Sequence, residues 1–306
     1  MEIYIFGAGA SAAEGAPATQ DFFARSWELL APDFDGRIRS VWRFLSDLFG
    51  VPVSGPDAFR FVPAVDEVIS LVDWSLHANQ GLGHTYDPPR LHQVRRDLEH
   101  LLWATLDAVC RTRGAQAEGP HTRFVRTLAA TRDLARTTLI SLNYDTLLDD
   151  ALTAAGLAPD YGLGRGGRGP LLAKLHGSLN WGLCQACSQI EVARTACSRC
   201  GNGGLHGLII SPTWLKSYGG AHLQQLWDLA LDRLRQAERI VFIGYSMPAA
   251  DIAIYHLLRR AMLAGPGQRR RPAIHVINHS EPAVSRFTHL FGPDCTFDLD
   301  GFYGQV

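Results

Sequence analysis

The sequence predicts an α/β fold: a Rossmann-like parallel sheet with helices on both faces, plus a smaller domain that contains helices and a zinc ribbon. Two observations predict this fold. Short apolar runs alternate with amphipathic helical patterns from about residue 137 onward, which is typical of a parallel sheet covered on both faces. Four cysteines also form two C-x2-C pairs between residues 184 and 200, a spacing that predicts a zinc ribbon.

The apolar periodicity places the individual strands and helices. The strand candidates are 2–6, 138–142, 171–175, 207–211, 239–243 and 273–277. Helix candidates follow several of these strands, at 146–155, 221–236, 250–264 and 281–290. This alternation indicates βαβ units.

A long helical insertion separates the first strand from the second. It contains five helical patterns, at 22–30, 38–49, 65–76, 91–109 and 124–134. We expect residues 1–306 to form a single domain. Within it, 20–135 is the helical insertion, 180–206 is the zinc ribbon, and the remainder is a Rossmann-like core.

Composition and charge exclude several classes of partner. Apolar residues make up 46% of the chain and charged residues 19%, as in folded soluble proteins. A net charge of -1 provides no basic field for nucleic acid or for a membrane surface. No apolar run is long enough to span a membrane, and the first residues, MEIYIFGAGA, lack the pattern of a signal peptide. We therefore expect a cytoplasmic protein.

The clustered cysteines are the strongest chemical signal. Cys184 and Cys187 form the first pair, and Cys197 and Cys200 form the second, with nine residues between the pairs. In a reducing compartment, clustered cysteines are metal ligands more often than disulfides. Four thiolates suit tetrahedral Zn²⁺ and leave no coordination position open, so the zinc is predicted to be structural.

The turn after the first strand matches G-x-G-x-x-(G/A). It reads Gly7-Ala8-Gly9-Ala10-Ser11-Ala12. In such a turn the first glycine permits a tight bend, and the second lets a pyrophosphate approach the backbone at a helix N-terminus. A dehydrogenase would carry an acidic residue at the end of a second strand about 20 residues on. That region is helical here, so hydride transfer is disfavoured and nucleotide binding by another scheme stays open.

Polar side chains follow the carboxyl ends of the later predicted strands. Asn143 and Asp145 come directly after 138–142, and His176 comes directly after 171–175. The ends of the last two strands add Gly244, Ser246, Asp251 and Asn278. Asn and Asp are also favoured helix N-caps. Because the carboxyl ends of parallel strands meet at one crevice, we interpret the set as a ligand site, with capping as a secondary role of Asn143 and Asp145.

Taken together, these motifs resemble the sirtuin superfamily. The matching pieces occur in the family's order from residue 7 to about 280: Gly7-Ala8-Gly9-Ala10-Ser11 with Gly15-Ala16-Pro17, Ser141-Leu142-Asn143-Tyr144-Asp145, Leu175-His176-Gly177-Ser178, the two cysteine pairs, Gly244-Tyr245-Ser246 and Ile277-Asn278. The helical insertion and the form of the motifs look most like the prokaryotic sirtuin-like branch, which includes NAD-degrading defence effectors.

The resemblance implies that NAD is the substrate and that C1′ of its nicotinamide ribose is the reacting atom. It implies that Asn143 positions water or the ribose, that Asp145 contacts the carboxamide, and that His176 acts as a base through the ribose hydroxyls. It also implies NAD contacts in the first turn and at the last two strand ends: Gly7, Ala8, Gly9, Ala10, Ser11, Gly244, Ser246 and Asn278.

Departures from the deacylase pattern favour NAD hydrolysis by water over acyl-lysine deacylation. Leu142 stands where deacylases have Gln, and Ala18-Thr19 replaces the start of their Asp-Phe-Arg. Residues 207–216 replace the segments that line the acyl-lysine tunnel. A sensor of NAD or ADP-ribose that serves a partner protein is a third hypothesis, although a pure binder needs no base. Because NAD degradation in the cytoplasm must be restrained, we expect a homo-oligomer or a protein partner.

Overall fold

The computed structural model describes residues 1–52, 54–113, 118–164, 167–216, 220–263 and 271–304. The chain divides into two compact units. Unit 1 comprises Met1–Gly15, Arg113–Ile209 and Tyr218–Val306, and unit 2 comprises Ala16–Thr112 and Ile210–Ser217. Within the described residues, no helix is long and apolar enough to cross a membrane.

Unit 1 contains the strands. They are β1 (Glu2–Phe6), β2 (Thr137–Ser141), β3 (Leu171–Lys174), β4 (Gly177–Cys184), β5 (Ile190–Val192), β6 (Leu205–Ile209), β7 (Arg239–Ile243), β8 (Ala273–Ile277) and β9 (Thr296–Asp298). Six of them form a sheet in the order β3-β2-β1-β7-β8-β9, and every neighbouring pair in it is parallel. The other three form an antiparallel sheet in the order β5-β4-β6.

Nine of the ten helices described lie at predicted positions, α6 being shifted by three to four residues from the expected 124–134, and α1 was not predicted. They are α1 (Ala8–Ala12), α2 (Phe22–Leu30), α3 (Gly36–Phe49), α4 (Val65–His77), α5 (Pro88–Arg113), α6 (Pro120–Thr131), α7 (Leu147–Ala154), α8 (Ala221–Arg235), α9 (Ile252–Met262) and α10 (Glu281–Phe291). Helices α2 to α5 lie in unit 2, and the others lie in unit 1.

Side chains that alternate along β1 bury both faces of the parallel sheet. Ile3 and Ile5 belong to one core cluster with residues of α8, α9 and α10. Tyr4 and Phe6 belong to a second cluster with residues of α6 and α7. Because successive side chains of a strand point to opposite faces, a fully apolar strand indicates burial on both sides. The predicted α/β fold, with helices on both faces of a parallel sheet, is confirmed.

The expected strand at 207–211 lies in a different sheet. It is β6, which ends at Ile209 and pairs antiparallel with β4. The chain returns from the second cysteine pair directly beside β4, so its nearest pairing partner is local. Strands β4, β5 and β9 were not predicted. β5 and β9 have only three residues each, too few for a periodic pattern.

Candidate active site

The carboxyl ends of β1, β2 and β7 meet at the centre of the parallel sheet. In the ladders, Phe6 lies opposite Ser141 on one side and Ile243 on the other. Numbered along the chain, the six strands have the order 3-2-1-4-5-6, which reverses between β1 and β7. Ligands of open α/β sheets bind beyond the carboxyl ends at such a reversal. The residues that follow these strands therefore form the candidate active site.

Glycines let the turns after β1 and β7 pack directly on each other. The N–H of Gly9 donates to the carbonyl of Gly244 at 2.8 Å. A Cβ on Gly9 would lie 2.9 Å from the Cα of Gly244, and a Cβ on Gly244 would lie 2.0 Å from the nitrogen of Ala10. Gly244 also has a φ of 62°, a conformation that glycine adopts readily. The backbone contact therefore requires both glycines, whether or not a ligand binds.

Several amides of the β1 turn are used inside the protein. The N–H groups of Gly7, Gly9 and Ala10 donate to the carbonyls of Ile243, Gly244 and Gly7, at 2.9, 2.8 and 3.0 Å. In this conformation these three amides face protein carbonyls and not a pyrophosphate. The NAD contacts implied for residues 7–11 stay a prediction, and a bulky substitution at Gly9 would disturb the turn itself.

Asn143, Ser11 and Asp145 form one buried chain of hydrogen bonds. The Nδ2 of Asn143 donates to the carbonyl of Gly7 at 2.9 Å and to the Oγ of Ser11 at 2.8 Å. The Oγ of Ser11 donates to the Oδ2 of Asp145 at 2.7 Å. All three side chains belong to residues that are more than nine-tenths buried. The structure thus brings together predicted site residues that lie up to 134 positions apart.

The contacts of Asn143 fix the orientation of its amide. A carbonyl oxygen only accepts hydrogen bonds, so the atom that faces Gly7 must be the nitrogen. Both N–H bonds of that nitrogen are then used, one on Gly7 and one on Ser11. What Asn143 can offer a ligand is its Oδ1, an acceptor that can orient a water molecule or a hydroxyl group.

Asp145 also supports the start of the next helix. Its Oδ1 accepts from the N–H of Leu147, the first residue of α7, at 3.2 Å. The N-cap of α7 is Thr146, which forms no side-chain cap bond, so Asp145 lies one position before the cap and its bond is part of the turn that leads into the helix. The N-cap role predicted for Asn143 and Asp145 is therefore not found. The side-chain amide of Asn143 donates its hydrogen bonds to Gly7 and Ser11, in and after the turn that follows β1. Because both oxygens of Asp145 accept bonds from the protein, the carboxamide contact implied for it stays a prediction.

A buried lysine that the sequence reasoning missed supports the segment around Asp145. Lys174, at the end of β3, is 0% exposed. Its Nζ donates to the carbonyl of Asp145 at 2.6 Å and pairs with the Oδ2 of Asp149 at 3.0 Å. The hydroxyl of Tyr161 donates to Asp149 at 2.6 Å, and burial, together with the charge of Asp149, raises the pKa of Tyr161. The available signal was a lysine inside an apolar strand, because buried lysines are almost always paired.

Replacing Lys174 by methionine is expected to lower the free energy of unfolding by about 3–5 kcal/mol, because Asp149 would keep a buried charge without its partner. Urea unfolding measures this difference. The control is Arg60→Gln, which breaks an ion pair whose side chains are 75% and 85% exposed and should cost less than about 1 kcal/mol. Equal, small losses in the two variants would contradict the prediction.

His176 is anchored to the residue that precedes Asn143. Its Nδ1 lies 3.1 Å from the carbonyl oxygen of Leu142, and the residue is 3% exposed. Since that oxygen only accepts, Nδ1 carries the hydrogen in the neutral ring and Nε2 carries the lone pair. The ring also lies near Tyr144, with a centroid distance of 6.2 Å. In this tautomer the basic nitrogen that a general base needs is Nε2, which is buried in this conformation.

The remaining predicted site residues lie at the ends of β7 and β8. The amide of Asn278 spans its own turn: Nδ2 donates to the carbonyl of Tyr245 at 2.9 Å, and Oδ1 accepts from the N–H of Ser280 at 3.0 Å. Ser246 is half-buried, and its carbonyl accepts from Arg286 at 3.0 Å. These bonds hold the two turns in shape. The adenosine contacts implied for Ser246 and Asn278 stay a prediction.

The four clustered cysteines are assembled as a metal site. Their Sγ atoms all lie within 4.8 Å of one another: Cys184, Cys187, Cys197 and Cys200. The Cys184–Cys200 distance is 3.6 Å and the Cys187–Cys197 distance is 3.5 Å. Sulfurs bound to one tetrahedral Zn²⁺ at about 2.3 Å would be about 3.8 Å apart. All four cysteines are free of disulfides, so the donor set and its geometry fit a structural zinc ion.

A buried carboxylate holds the second cysteine pair in place. Glu191, in β5, is 0% exposed. Its Oε1 accepts from the N–H of Ser198 at 2.8 Å and from the hydroxyl of the same residue at 2.7 Å. Ser198 lies between Cys197 and Cys200, so Glu191 orients the loop that carries these two ligands, as partners outside the ligand set commonly do in metal sites.

Comparison with known proteins gives similarity to solved structures only. No protein-family model matches the chain, and no curated protein matches it. The chain is similar to a structure described as Sir2 bound to acetylated peptide, at 13% identity over 96% of this chain and 88% of that chain, with a TM-score of 0.43. It is also similar to a structure described by the structural basis of sirtuin substrate affinity, at 13% identity over 96% of this chain and 89% of that chain, with a TM-score of 0.41.

Proposed function

We propose that this chain hydrolyses NAD at the bond between nicotinamide and ribose, releasing nicotinamide and ADP-ribose. The observation that carries the proposal is the pairing of two oriented groups at adjacent strand ends. Asn143 offers an acceptor oxygen after β2, and His176 offers a basic nitrogen after β3 while bonded to the carbonyl of Leu142. The sequence resemblance to sirtuins supports NAD as the molecule on which these groups act.

The proposed reaction needs little acid assistance. A bond forms between the oxygen of water and C1′ of the ribose while the bond from C1′ to the nicotinamide nitrogen breaks. Nicotinamide takes the bonding electrons and leaves as a neutral molecule, through an oxocarbenium-like transition state. The proton of the attacking water passes to the lone pair of His176, directly or through the ribose hydroxyls. Asn143 contributes by orienting the water or the ribose.

Hydrolysis is favoured over acyl-lysine deacylation by what the chain lacks. Leu142 replaces the glutamine that precedes the catalytic asparagine in deacylases, and Ala18-Thr19 replaces the start of their Asp-Phe-Arg. Residues 207–216 replace the tunnel segments. Part of this stretch is fastened inside unit 2, where Ser211 donates to Glu99 at 3.0 Å and the N–H of Trp214 donates to Ser70 at 2.9 Å. The motifs that the resemblance links to chemistry at C1′ are retained, while the peptide-binding motifs are not.

Incubation of the purified chain with NAD alone is expected to yield nicotinamide and free ADP-ribose, measured by chromatography. A second reaction adds an acetyl-lysine peptide, and a calorimetric titration measures NAD binding. Formation of acyl-ADP-ribose only when the peptide is present would assign the chain as a deacylase. Binding of NAD without any product in either reaction, and again without product after addition of a lysate of phage-infected cells that would contain a controlling partner, would assign it as a sensor. Absence of NAD binding would refute all three hypotheses: the hydrolase, the deacylase and the sensor.

The matched variant for this experiment is Asn143→Ala. It is expected to lower kcat far more than it raises the dissociation constant of NAD, because positioning acts mainly on the transition state. Its thermal unfolding is measured in parallel, since Asn143 also bonds to Gly7 and Ser11. A normal kcat in this variant would show that Asn143 has no role in the reaction.

The proposal extends to antiphage defence, because the branch that the sequence resembles includes NAD-degrading effectors. Such an enzyme must be restrained, so the proposal includes a homo-oligomer or a protein partner that controls its activity. The cellular readout is the NAD content of phage-infected cells that express this chain.

A further inference from the structure

Unit 2 contains a cavity that the proposed NAD chemistry does not use. Its volume is about 330 Å³. The lining includes residues of α3, the residue Tyr86 and residues from the first turns of α5. Those with polar side chains are Arg39, Ser40, Arg43, Tyr86, Arg90 and Gln93. Its size lies at the lower end of the range for small-molecule sites, about 300–1,000 Å³.

Three guanidinium groups line this cavity without a carboxylate partner. Arg39 and Arg43 lie on successive turns of α3, and Arg90 lies in the first turn of α5. Among the described residues, no carboxylate oxygen lies within 4.0 Å of a side-chain nitrogen of these three arginines. Other arginines of unit 2 are paired, such as Arg37 with Asp97 at 2.9 Å and Arg95 with Asp73 at 2.5 Å. Like charges four residues apart on a helix repel each other, so the unpaired set favours an anion in the cavity.

Four carboxylates of the surrounding segments have other partners. Asp35 accepts from the N–H groups of Arg37 and Ile38 and contacts His100, Asp47 accepts from Tyr86, Asp87 accepts from the N–H of Arg90, and Asp97 pairs with Arg37 and accepts from Gln93. A hydrogen bond from a neutral donor leaves the negative charge of Asp47 and Asp87 in place, but neither residue forms part of the lining. The lining itself contains three guanidinium groups and no carboxylate.

Tyr86 forms a rigid part of the cavity wall. It is 4% exposed, and its hydroxyl donates to the Oδ2 of Asp47 at 2.7 Å. Burial, reinforced by Asp47, raises the pKa of Tyr86 to about 12, so its ring stays neutral. The guanidinium of Arg90 lies over this ring, 5.0 Å from the centroid, and also donates to the carbonyl of Thr85 at 3.3 Å. Arg90 is thus held in place before any ligand arrives.

We propose that this cavity binds a small-molecule anion that contains a diphosphate group. Guanidinium groups are planar forks that bind phosphate oxygens in pairs. A single phosphate group carries a charge of about −2 at most, whereas the cavity presents three positive charges, which match a diphosphate better. The hydroxyl of Ser40 supplies a further donor. This site belongs to unit 2 and does not depend on the proposed NAD hydrolysis.

Titration of the full chain with sodium pyrophosphate, followed by isothermal calorimetry at fixed ionic strength, tests the proposal. We expect saturable binding that weakens about 10- to 100-fold in Arg39→Gln and in Arg43→Gln, the usual range for a charge-assisted hydrogen bond. Arg43→Lys keeps the charge but loses the fork, so an intermediate loss is expected. The control Arg60→Gln removes an exposed arginine outside the cavity and should leave the affinity unchanged.

The pattern of losses also locates the site. Equal affinity in the wild-type chain and in the Arg39 and Arg43 variants would place pyrophosphate elsewhere, for example at the turn after β1, and would overturn the proposal. Absence of saturable binding would overturn it as well. Orthophosphate is titrated in parallel, and binding as tight as that of pyrophosphate would reject the diphosphate assignment. Because the mutated arginines are exposed, the variants should keep their fold, which thermal unfolding confirms.

Discussion

Replacing His176 by alanine is expected to slow NAD hydrolysis by about 10²–10⁴-fold, the usual contribution of a general base. The expectation follows from the tautomer: the Nδ1 hydrogen is held by the carbonyl of Leu142, which leaves Nε2 to take a proton. The measurement is kcat at saturating NAD, with the dissociation constant of NAD determined separately. His77→Ala, an exposed histidine at the end of α4, is the matched control and should leave kcat unchanged.

A second variant separates base catalysis from structural support. In His176→Asn, the side-chain amide can still donate to the carbonyl of Leu142, but it has no basic nitrogen. We therefore expect the same loss of kcat with a nearly unchanged unfolding temperature. If asparagine restores activity, the role of His176 is to hold Leu142 and the adjacent Asn143 in place.

Loss of the metal is expected to have the largest effect on stability. Structural Zn²⁺ binding contributes apparent free energies of about 10–16 kcal/mol in zinc-finger peptides, and that free energy is coupled to folding. We expect about one zinc per chain by elemental analysis. Cys197→Ser should lose the metal, unfold at a markedly lower temperature and give little soluble protein.

Cys110→Ser is the matched control for the zinc prediction. Cys110 is half-buried in α5 of unit 2 and does not belong to the cysteine cluster. This variant should keep the metal and unfold near the wild-type temperature. A soluble, stable Cys197→Ser protein without zinc would show that the ribbon folds without metal.

The local periodicity of apolar residues was enough to predict most of the helices and the parallel strands. α2 has the predicted bounds, 22–30, and β1, β7 and β8 also match their predicted ranges. These segments are buried on one stripe or on both faces, so their apolar periodicity follows directly from their packing. The expectation failed at β6, because periodicity identifies a strand but not the sheet that it joins.

The candidate site was predicted as a set of residues but not as a set of contacts. The sequence indicated Asn143, Asp145 and His176 from their positions after strands. It could not indicate that Ser11 links Asn143 to Asp145, because that link joins turns more than 130 residues apart. Lys174 was missed for a related reason: its partner Asp149 lies on α7, the helix that precedes β3 in the chain, 25 positions before Lys174, and only the packing of β3 against α7 brings them together.

The hydrogen-bond chain from Asn143 through Ser11 to Asp145 has a fixed direction. Ser11 has one hydroxyl hydrogen, which it gives to Asp145, so it can only accept from Asn143. Every link therefore points toward the carboxylate, and in a buried chain of this kind each bond polarises the next. Electron density is drawn toward the oxygen of the Asn143 amide, which becomes a stronger acceptor. The carboxylate of Asp145 thus raises the acceptor strength of the Asn143 amide oxygen through the hydroxyl group of Ser11.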